Sequence, residues 1–508
     1  MNFTPLDVAI FTVFYGIVLG FSFFKSRGGK NSADYFLGGR SLPWWLIGVS
    51  VVAANLSTEQ FVGMAGQAAG DVGLAVSAWQ LTGVIGITLV AWFFLPRFLR
   101  AGIYTMPEYL EYRYNAAARA IMSVLTVIIY VTVTTSAVLY SGATTLETVF
   151  GFKLSTAVWL IAGIALVYVV WGGLLAAVWA DLFQGAALLL GGLITAWLGL
   201  KACGGPAEFF TRNADKLHLI LPRTHGELPW TVLLGGMWIP IFYYCGLNQF
   251  IMQRTLAART LREGQLGVIF CAALWLLVPV GIVLPGIMAH QLYAGEMAKP
   301  DQAYPLLVRH LIPDGIRGFI FAALVGAVIS TLASVLNSAS TVFTMDVYRQ
   351  YLHRHADEKK LVRVGRVSTF VCMVLACVVA LSPILKGGVF KFIQEFQGYI
   401  SPGIVAAFVF GFVIKRTPPA AGIAALLLSA PIYGALQWQF SGVPYLHRML
   451  WTLGCLVAIM SVITVAKPLA VPRVLPIRAE MDARTEPVVY VCGAAVILAV
   501  LLLFVAFR

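Results

Sequence analysis

A short polar stretch inside a hydrophobic segment is the part of this chain best suited to binding chemistry. Residues 44–66 are mostly apolar, yet Asn55 and the run Ser57-Thr-Glu-Gln60 lie in their middle. Amide, hydroxyl and carboxylate groups left without partners in hydrocarbon each cost several kcal/mol. They must therefore face a cavity, an ion or another polar helix. Such an interruption near the membrane midplane is typical of the binding site of a transporter.

Two adjacent hydroxyl residues, Ser330 and Thr331, form a second candidate site in the apolar segment 316–346. Side-chain oxygens suit a hard monovalent cation, and an unwound helix opposite them could add backbone carbonyls. Hydroxyls in membrane helices also bond to the carbonyl one turn earlier or pack helices together, so that alternative stays open. The sequence offers no nucleophile–base set and no glycine-rich phosphate loop, and we therefore expect no enzyme.

Composition identifies the elements that must hold these residues. The chain of 508 residues is 60% hydrophobic and 11% charged, with a mean hydropathy of +0.85. Soluble domains have about 25% charged residues. We therefore predict an all-α polytopic membrane protein. About 14 segments are long and apolar enough to be transmembrane helices: 6–24, 44–66, 73–95, 117–147, 155–172, 175–201, 229–253, 264–289, 316–346, 363–385, 388–413, 418–437, 447–467 and 487–507.

The net charge of +13 concerns topology and anionic lipid rather than nucleic acid. If the N-terminus is outside, most Lys and Arg residues fall in loops on the cytoplasmic side, as the positive-inside rule requires. The richest loop is Arg349–Arg366, and further clusters lie at Lys25–Arg40 and Arg254–Arg262. We expect a multi-pass protein of the cell membrane, of the bacterial inner membrane in particular.

A second interrupted segment gives the internal organisation. Segment 229–253 contains Pro240 and Gly246, which weaken a helix, and polar residues follow at once. This break lies five helices after the first, and a repeat of five helices must insert with inverted topology. We therefore predict a first helix and cytoplasmic loop (1–43), inverted repeat one (44–201), an external loop (202–228), inverted repeat two (229–413) and three peripheral helices (414–508).

Several motifs, in one order, resemble those of the sodium/solute symporters, in their sodium/glucose cotransporter branch. They are Asp34–Trp45, Ala53–Gly66, Tyr104–Tyr109, Ala177–Asp181, Asn248–Ala258, Asn337–Tyr348, Ile393–Glu395 and Ser401–Gly403. The resemblance covers nearly the whole chain. It implies a LeuT-like core of two inverted five-helix repeats, alternating access and coupling to Na⁺.

The resemblance also implies a sodium site between the first broken helix and the helix that carries Ser330. Its ligands would be the carbonyls of Ala53, Leu56 and Ala327 and the hydroxyls of Ser330 and Thr331. Asp181 matches an acidic residue that helps sodium to leave on the cytoplasmic side. The alternative for Asp181 is a partnership with a nearby basic loop.

For the transported solute, the family's pattern is only partly kept. The implied substrate-binding residues are Gln60, Gln80, Tyr244, Asn248, Trp275 and Gln394, and the implied gates are Met64, Trp79, Tyr244 and Phe390. Four positions depart from the sugar-binding pattern: Gln80 replaces a carboxylate, Gly83 a serine, Ile241 an asparagine and Trp275 a lysine. Losing one negative and one positive charge together leaves the pocket close to neutral, and the glutamine can still donate to and accept from hydroxyl groups.

We therefore expect a sodium-coupled symporter of a small neutral hydroxylated solute, such as a sugar, deoxy sugar or polyol. No arginine is expected in the pocket helices, which disfavours a carboxylate substrate. Sensors, sodium-independent facilitators and symporters of a non-sugar solute remain alternatives, and the chain could be a monomer or a homodimer. Lys391 and Glu395 are spaced as an i, i+4 pair, whereas the sequence indicates no partner for Glu59.

Overall fold

The computed structural model describes residues 4–26, 40–473 and 484–508, and within these ranges it is almost entirely helical. Residues 34–39 of the first family motif, and most of the predicted basic cluster Lys25–Arg40, lie outside the described residues. The α-helices are Pro5–Ser26, Trp44–Asn55, Ala65–Ala69, Ala78–Leu89, Leu95–Ala101, Met106–Arg113, Ala116–Ile129, Ser136–Phe150, Leu154–Ala202, Pro206–Arg212, Trp230–Leu233, Trp238–Phe242, Gln249–Leu256, Leu261–Trp275, Leu284–Tyr293, Ala303–Leu311, Ile316–Val342, Glu358–Ala380, Val389–Gln397, Ser401–Val413, Pro419–Gln439, Tyr445–Ala466 and Pro487–Ala506.

Short π-helical turns join several of these helices into longer spans. They are Gln60–Met64, Val90–Phe94, Tyr130–Thr135, Tyr243–Leu247, Pro279–Val283 and Phe343–Leu352. A π turn inserts an extra residue into a helix and frequently lies at a functional site.

The described helices account for most of the predicted spans. Eleven are long and apolar enough to cross a membrane, and two further spans arise if each of two bent helix pairs is taken as one. The predicted segment 155–172 corresponds to the shorter apolar stretch Leu154–Val167. The backbone runs on from there as one helix to Ala202 without the expected connection. The count of fourteen therefore stays a prediction.

The first bent pair is the predicted interruption, and we call it the broken helix. It consists of Trp44–Asn55 and Gln60–Ala69, whose axes differ by 57°. The backbone leaves the helix at Leu56, which is extended with φ −79° and ψ 91°. The last carbonyls of a helix have no partner within it, so this break exposes backbone oxygens in the interior of the protein.

The second interruption lies a few residues beyond the predicted position. Pro240 lies near the start of helix Trp238–Phe242, where a missing N–H removes no intrahelical bond. The chain continues through the π turn Tyr243–Leu247 and becomes extended at Asn248, with φ −85° and ψ 123°. The prediction of a break in this segment is confirmed, and Asn248 rather than Pro240 or Gly246 is its centre.

A further bend, which the sequence did not predict, separates Val389–Gln397 from Ser401–Val413 by 45°. We call Val389–Gln397 the gate helix because it carries Phe390. Its first N–H, on Val389, donates to a carboxylate oxygen of Asp301 at 3.3 Å. The unpaired N–H groups and the positive end of the helix dipole favour an acidic side chain at a helix N-terminus, and here they offset part of the cost of burying its charge.

The second half of the broken helix is held by very close helix packing. A Cβ atom added to Gly286 would lie 2.2 Å from the carbonyl oxygen of Ala65, a contact that real Cβ atoms do not make. Glycine at this position therefore lets helix Leu284–Tyr293 touch the backbone of helix Ala65–Ala69. The position of helix Ala65–Ala69 therefore depends on the absence of a side chain at Gly286.

We predict that Gly286→Ala lowers the unfolding temperature of the purified transporter, because the added methyl group displaces backbone and overpacking costs about 1–3 kcal/mol. Thermal unfolding in detergent would measure it. Gly454→Ala is the matched control, because no atom of the described residues lies within 4 Å of a Cβ atom added at Gly454. Equal unfolding temperatures for the two variants would contradict the close contact.

Asp301 gives a pH-dependent prediction. Burial raises the pKa of its carboxyl to about 6 from an ordinary 3.8, a difference that corresponds to roughly 3 kcal/mol. The native state carries this cost fully above pH 6, and the cost disappears as the pH falls towards 4. Asp301→Asn keeps an acceptor for Val389, so we expect it to raise the unfolding temperature at pH 8 and to raise it less at pH 5. An equal effect at both pH values would contradict this expectation.

Candidate functional site

One internal cavity lies between the two interrupted helices. Its walls come from the broken helix, from Ala78–Leu89, from the segment around Asn248 and from the gate helix. All six predicted substrate-binding residues line it: Gln60, Gln80, Tyr244, Asn248, Trp275 and Gln394. The structure thus brings together residues that are up to several hundred positions apart in the sequence.

A chain of hydrogen bonds between side chains crosses this cavity. Gln80 Nε2 donates to Gln60 Oε1 at 2.8 Å, and Gln60 Nε2 donates to Asn55 Oδ1 at 3.3 Å. Asn55 Nδ2 in turn donates to the hydroxyl oxygen of Tyr244 at 2.7 Å. The chain ties helix Ala78–Leu89 and the π turn before Asn248 to the broken helix. Asn55 was not predicted as a site residue, although it opens the polar run that identified this segment.

Asn248 is hydrogen-bonded to Tyr130, another residue that the sequence did not indicate. The Tyr130 hydroxyl donates to Asn248 Oδ1 and accepts the N–H of Phe250 at 3.1 Å. This phenol satisfies both a side chain and a backbone group that the interrupted helix leaves free. A lone tyrosine in an apolar segment gives no sequence signal for such a role.

Three donors around the cavity have no protein partner within the described part of the chain. They are the indole N–H groups of Trp79 and Trp275 and the hydroxyl of Tyr243, all buried. The indole ring of Trp275 packs against Gly83. A Cβ atom added to Gly83 would lie 3.4 Å from this ring, so the absence of a side chain at Gly83 leaves room for the indole in the cavity wall. Buried donors are normally paired, so these groups are suited to the acceptor oxygens of a bound molecule.

Two of the predicted gate residues, Trp79 and Phe390, meet in the wall of this cavity. Trp79 and Phe390 pack edge to face with their ring centroids 6.0 Å apart. Met64 is fully buried, and its Sδ lies 3.8 Å from Gln80 Nε2. Tyr244, the predicted inner gate, lies at the break of the other interrupted helix. The apolar pair and the tyrosine are therefore placed on different walls of the cavity.

Ser330 and Thr331 face the end of the first half of the broken helix. The Thr331 hydroxyl donates to the carbonyl oxygen of Ala54 at 3.3 Å, and both hydroxyl residues are buried. The Ser330 hydroxyl donates to Asp181. A hydroxyl that donates its hydrogen keeps oxygen lone pairs free, so both side chains can still coordinate a cation. The carbonyls of Ala53, Leu56 and Ala327 belong to the same two elements.

Asp181 is paired with Arg254 in the interior of the protein. Arg254 Nη2 lies 2.9 Å from Asp181 Oδ2, and the two side chains are 1% and 0% exposed. Ser50 bonds to both partners, with Arg254 Nε donating to its hydroxyl oxygen at 2.6 Å. Ser334 completes the network, since Arg254 donates to it and it donates to the carbonyl of Ser330 at 2.7 Å.

This pair corrects two predictions. Arg254 is a buried residue of helix Gln249–Leu256 and does not belong to an exposed basic loop. It also places an arginine in an interrupted helix, where none was expected. The guanidinium does not line the cavity and is bonded to Asp181. Among the described residues that line the cavity there is no Lys or Arg.

Lys391 and Glu395 do not form the i, i+4 pair that their spacing predicts. Instead, Lys391 Nζ lies 2.8 Å from Glu227, and Glu395 faces Arg448 at 3.7 Å. The gate helix turns these neighbours towards different elements, and a charged partner from another element prevails over the i, i+4 contact. Glu59 lines the cavity, and the hydroxyl of Ser57 donates to its carboxylate.

Comparison with known proteins identifies the family. The profile described as the sodium:solute symporter family matches residues 35–428. A sodium/glucose cotransporter of Vibrio parahaemolyticus is 38% identical over 481 residues, which cover 88% of each chain. This chain belongs to the sodium:solute symporter family. It is a multi-pass membrane transporter of that family, sodium is its coupling ion, and solute and sodium are carried by symport.

Other members of the sodium:solute symporter family extend the comparison. The human sodium/myo-inositol cotransporter 2 is 32% identical, covering 81% of this chain and 67% of its own. Among solved structures, an outward-open Na⁺-coupled sialic acid symporter matches with a TM-score of 0.82 at 21% identity, over 92% of this chain and 100% of that one. The predicted all-α, LeuT-like fold is thus confirmed.

We predict that Arg254→Met lowers the unfolding temperature strongly, because it leaves Asp181 charged and unpaired in the interior. Removing one partner of a buried ion pair costs about 3–5 kcal/mol. Combining it with Asp181→Asn should recover most of the loss, since neither residual group then carries a charge.

Thermal unfolding of the single and double variants in detergent would test this coupling. Arg262→Met is the matched control, because Arg262 pairs with Glu486 at 2.9 Å while both side chains are about half exposed. Equal losses for Arg254→Met and Arg262→Met, or additive losses in the double variant, would contradict the expected coupling.

Proposed function

We propose that this transporter imports a small neutral hydroxylated solute, such as a sugar, deoxy sugar or polyol, together with sodium by alternating access. The observation that carries the proposal is the cavity wall built from Asn55, Gln60 and Gln80, whose amides are joined in one hydrogen-bonded chain. Amide groups both donate and accept, as the hydroxyl groups of a sugar or polyol require. Glucose and myo-inositol, named for two relatives, share this chemistry.

Aromatic residues support the same class of solute. Trp275 offers an apolar face for C–H groups and an indole N–H that no described residue accepts, and this N–H could donate to an oxygen of the solute. Tyr243 and Trp79 add two more donors that have no partner among the described residues around the same cavity. A solute that presents several oxygens on a compact ring would satisfy them together.

Sodium would bind where the broken helix faces Ser330 and Thr331. We assign the carbonyls of Ala53, Leu56 and Ala327 and these two hydroxyls as its ligands, which provides oxygen atoms only, as a hard cation prefers. Asp181 accepts the hydrogen bond of the Ser330 hydroxyl, and its carboxylate would attract the ion as it leaves this site. Because Arg254 compensates the charge of Asp181, we expect the Asp181 carboxylate to attract sodium only weakly, so that the ion can dissociate again.

Coupling follows from the short irregular stretch that the two ligands share. Sodium would fix the carbonyl of Leu56, while the solute would bind Gln60, and only a few residues separate the two. Ordering this stretch by either ligand reduces the cost of binding the other, and such coupling is reciprocal. One sodium ion entering at 100 mV contributes about 2.3 kcal/mol, enough for a solute gradient of roughly 50-fold.

We place this transporter in the cell membrane, with the N-terminus and the loops 202–228 and 290–315 outside. The proposal rests on the excess of Lys and Arg in the opposite loops. Import then begins on the side where Phe390 and Trp79 close the cavity.

Uptake into proteoliposomes would test the proposed function. We expect one member of a labelled panel of neutral sugars and polyols to accumulate above equilibrium with sodium outside, and not with choline. Ser330→Ala should reduce this accumulation at least tenfold, because it removes a proposed sodium ligand. Ser461→Ala should leave it unchanged, since Ser461 is half-buried on the peripheral helix Tyr445–Ala466, where its hydroxyl donates to the carbonyl of Val457 in the same helix.

Proline and sialic acid belong in the same panel as solutes with a carboxylate. Accumulation of either one, or uptake of a sugar that is equal in sodium and choline, would contradict the proposed function.

A further inference from the structure

A second polar cavity lies beyond the outer gate, on the side that we place outside. Its volume is about 340 Å³, and Phe390 contributes to its wall as well as to that of the solute cavity. Its polar lining consists of Gln67, Asp71, His225, Glu227, Asp301 and Lys391. A solute on its way from outside to the amide chain would have to pass Phe390 from this vestibule.

Glu227 joins three elements at the edge of this vestibule. One carboxylate oxygen lies 2.8 Å from Nζ of Lys391 on the gate helix. The other accepts a hydrogen bond from Gln67 Nε2 on the broken helix at 3.3 Å. Glu227 itself belongs to the loop 202–228, so a single side chain connects the loop with both helices that border the passage.

The two helical partners are direct neighbours of gate residues. Lys391 follows Phe390 in the gate helix, and Gln67 lies one helical turn after Met64 in the broken helix. Any movement that separates Phe390 from Met64 to open the cavity must stretch or break the contacts of Glu227. The contacts of Glu227 are therefore linked to the distance between the two outer gate residues, Phe390 and Met64.

The loop holds Glu227 in a defined position. His225 Nδ1 accepts the backbone N–H groups of Glu227 and Leu228 at 3.2 and 3.1 Å. The N–H of Trp230 donates to the carbonyl of Leu221 at 3.0 Å and closes the base of the loop. Glu227 is thus presented by an ordered turn, as a positioning residue requires.

We propose that Glu227, Lys391 and Gln67 form an external latch, which positions the gate helix and holds the outer gate closed. This inference rests on the proposed direction of import. The ion pair is about one-third exposed, with side-chain exposures of 33% and 41%, and pairs of this kind contribute little to folding stability. Losing it should therefore leave the protein folded and shift the balance between closed and open outer gates by about two- to fivefold.

Cys245 provides a natural reporter for the latch, because it lines the solute cavity behind the gate. The experiment measures how fast a charged, membrane-impermeant thiosulfonate, added outside proteoliposomes, modifies Cys245, with peptide mass spectrometry as the readout. We expect Glu227→Gln and Lys391→Gln each to raise this rate about two- to fivefold. The exchanged pair Glu227→Lys with Lys391→Glu should restore the wild-type rate.

Glu208→Gln is the matched control, since Glu208 lies in the same loop and pairs with Arg212 at 2.7 Å on the surface. It removes the same charge without touching either gate, so its rate should equal that of the wild type. An unchanged rate in Glu227→Gln, an equal rise in Glu208→Gln, or failure of the exchanged pair to restore the rate would overturn the latch. Labelling needs no solute, so a failed uptake panel would leave this result interpretable.

Discussion

The structure depends on the interruption of one membrane helix between Asn55 and Gln60. Within a bilayer, backbone groups freed by such a break must find partners inside the protein or line a cavity. Here the helix with Ser330 and Thr331 lies against one end of the break, and the amides of Gln60 and Gln80 gather at the other. The interruption thereby creates both candidate binding regions, and their closeness follows from the few residues that separate them.

The buried charges behind the sodium-binding region form an ion pair, and the solute cavity is lined mainly by uncharged polar groups. Asp181 and Arg254 are fully buried. The cost of removing their charges from water is offset by their ion pair and by hydrogen bonds with the hydroxyls of Ser50, Ser330 and Ser334. The solute cavity, in turn, presents amides, hydroxyls and indoles on its walls, with Glu59 bonded to Ser57. A neutral solute brings no further charge into this cavity, whereas an anionic one would lack a cationic partner on these walls.

The sequence predicted the parts of this arrangement that depend on local composition. Polar residues within apolar segments, together with Pro240 and Gly246, located both interrupted helices, and the resemblance to the family indicated the six residues that line the cavity. What it could not predict depends on the packing of distant elements. Tyr130 and Arg254 find their partners across helices, and Lys391 turns to Glu227 because a loop brings that carboxylate within 2.8 Å. The bend after Gln397 and the exact break at Asn248 are likewise set by tertiary contacts rather than by local propensity.

The measurement that tests the central claim most directly is the mutual dependence of sodium and solute binding at equilibrium. Isothermal titration of the purified transporter would give the Kd of the solute in sodium and in choline, and the Kd of sodium with and without solute. If both ligands order the stretch from Leu56 to Gln60, each should tighten the binding of the other by the same factor, of about 5- to 150-fold. Solute affinity that is equal in sodium and choline would contradict a shared interruption as the basis of coupling.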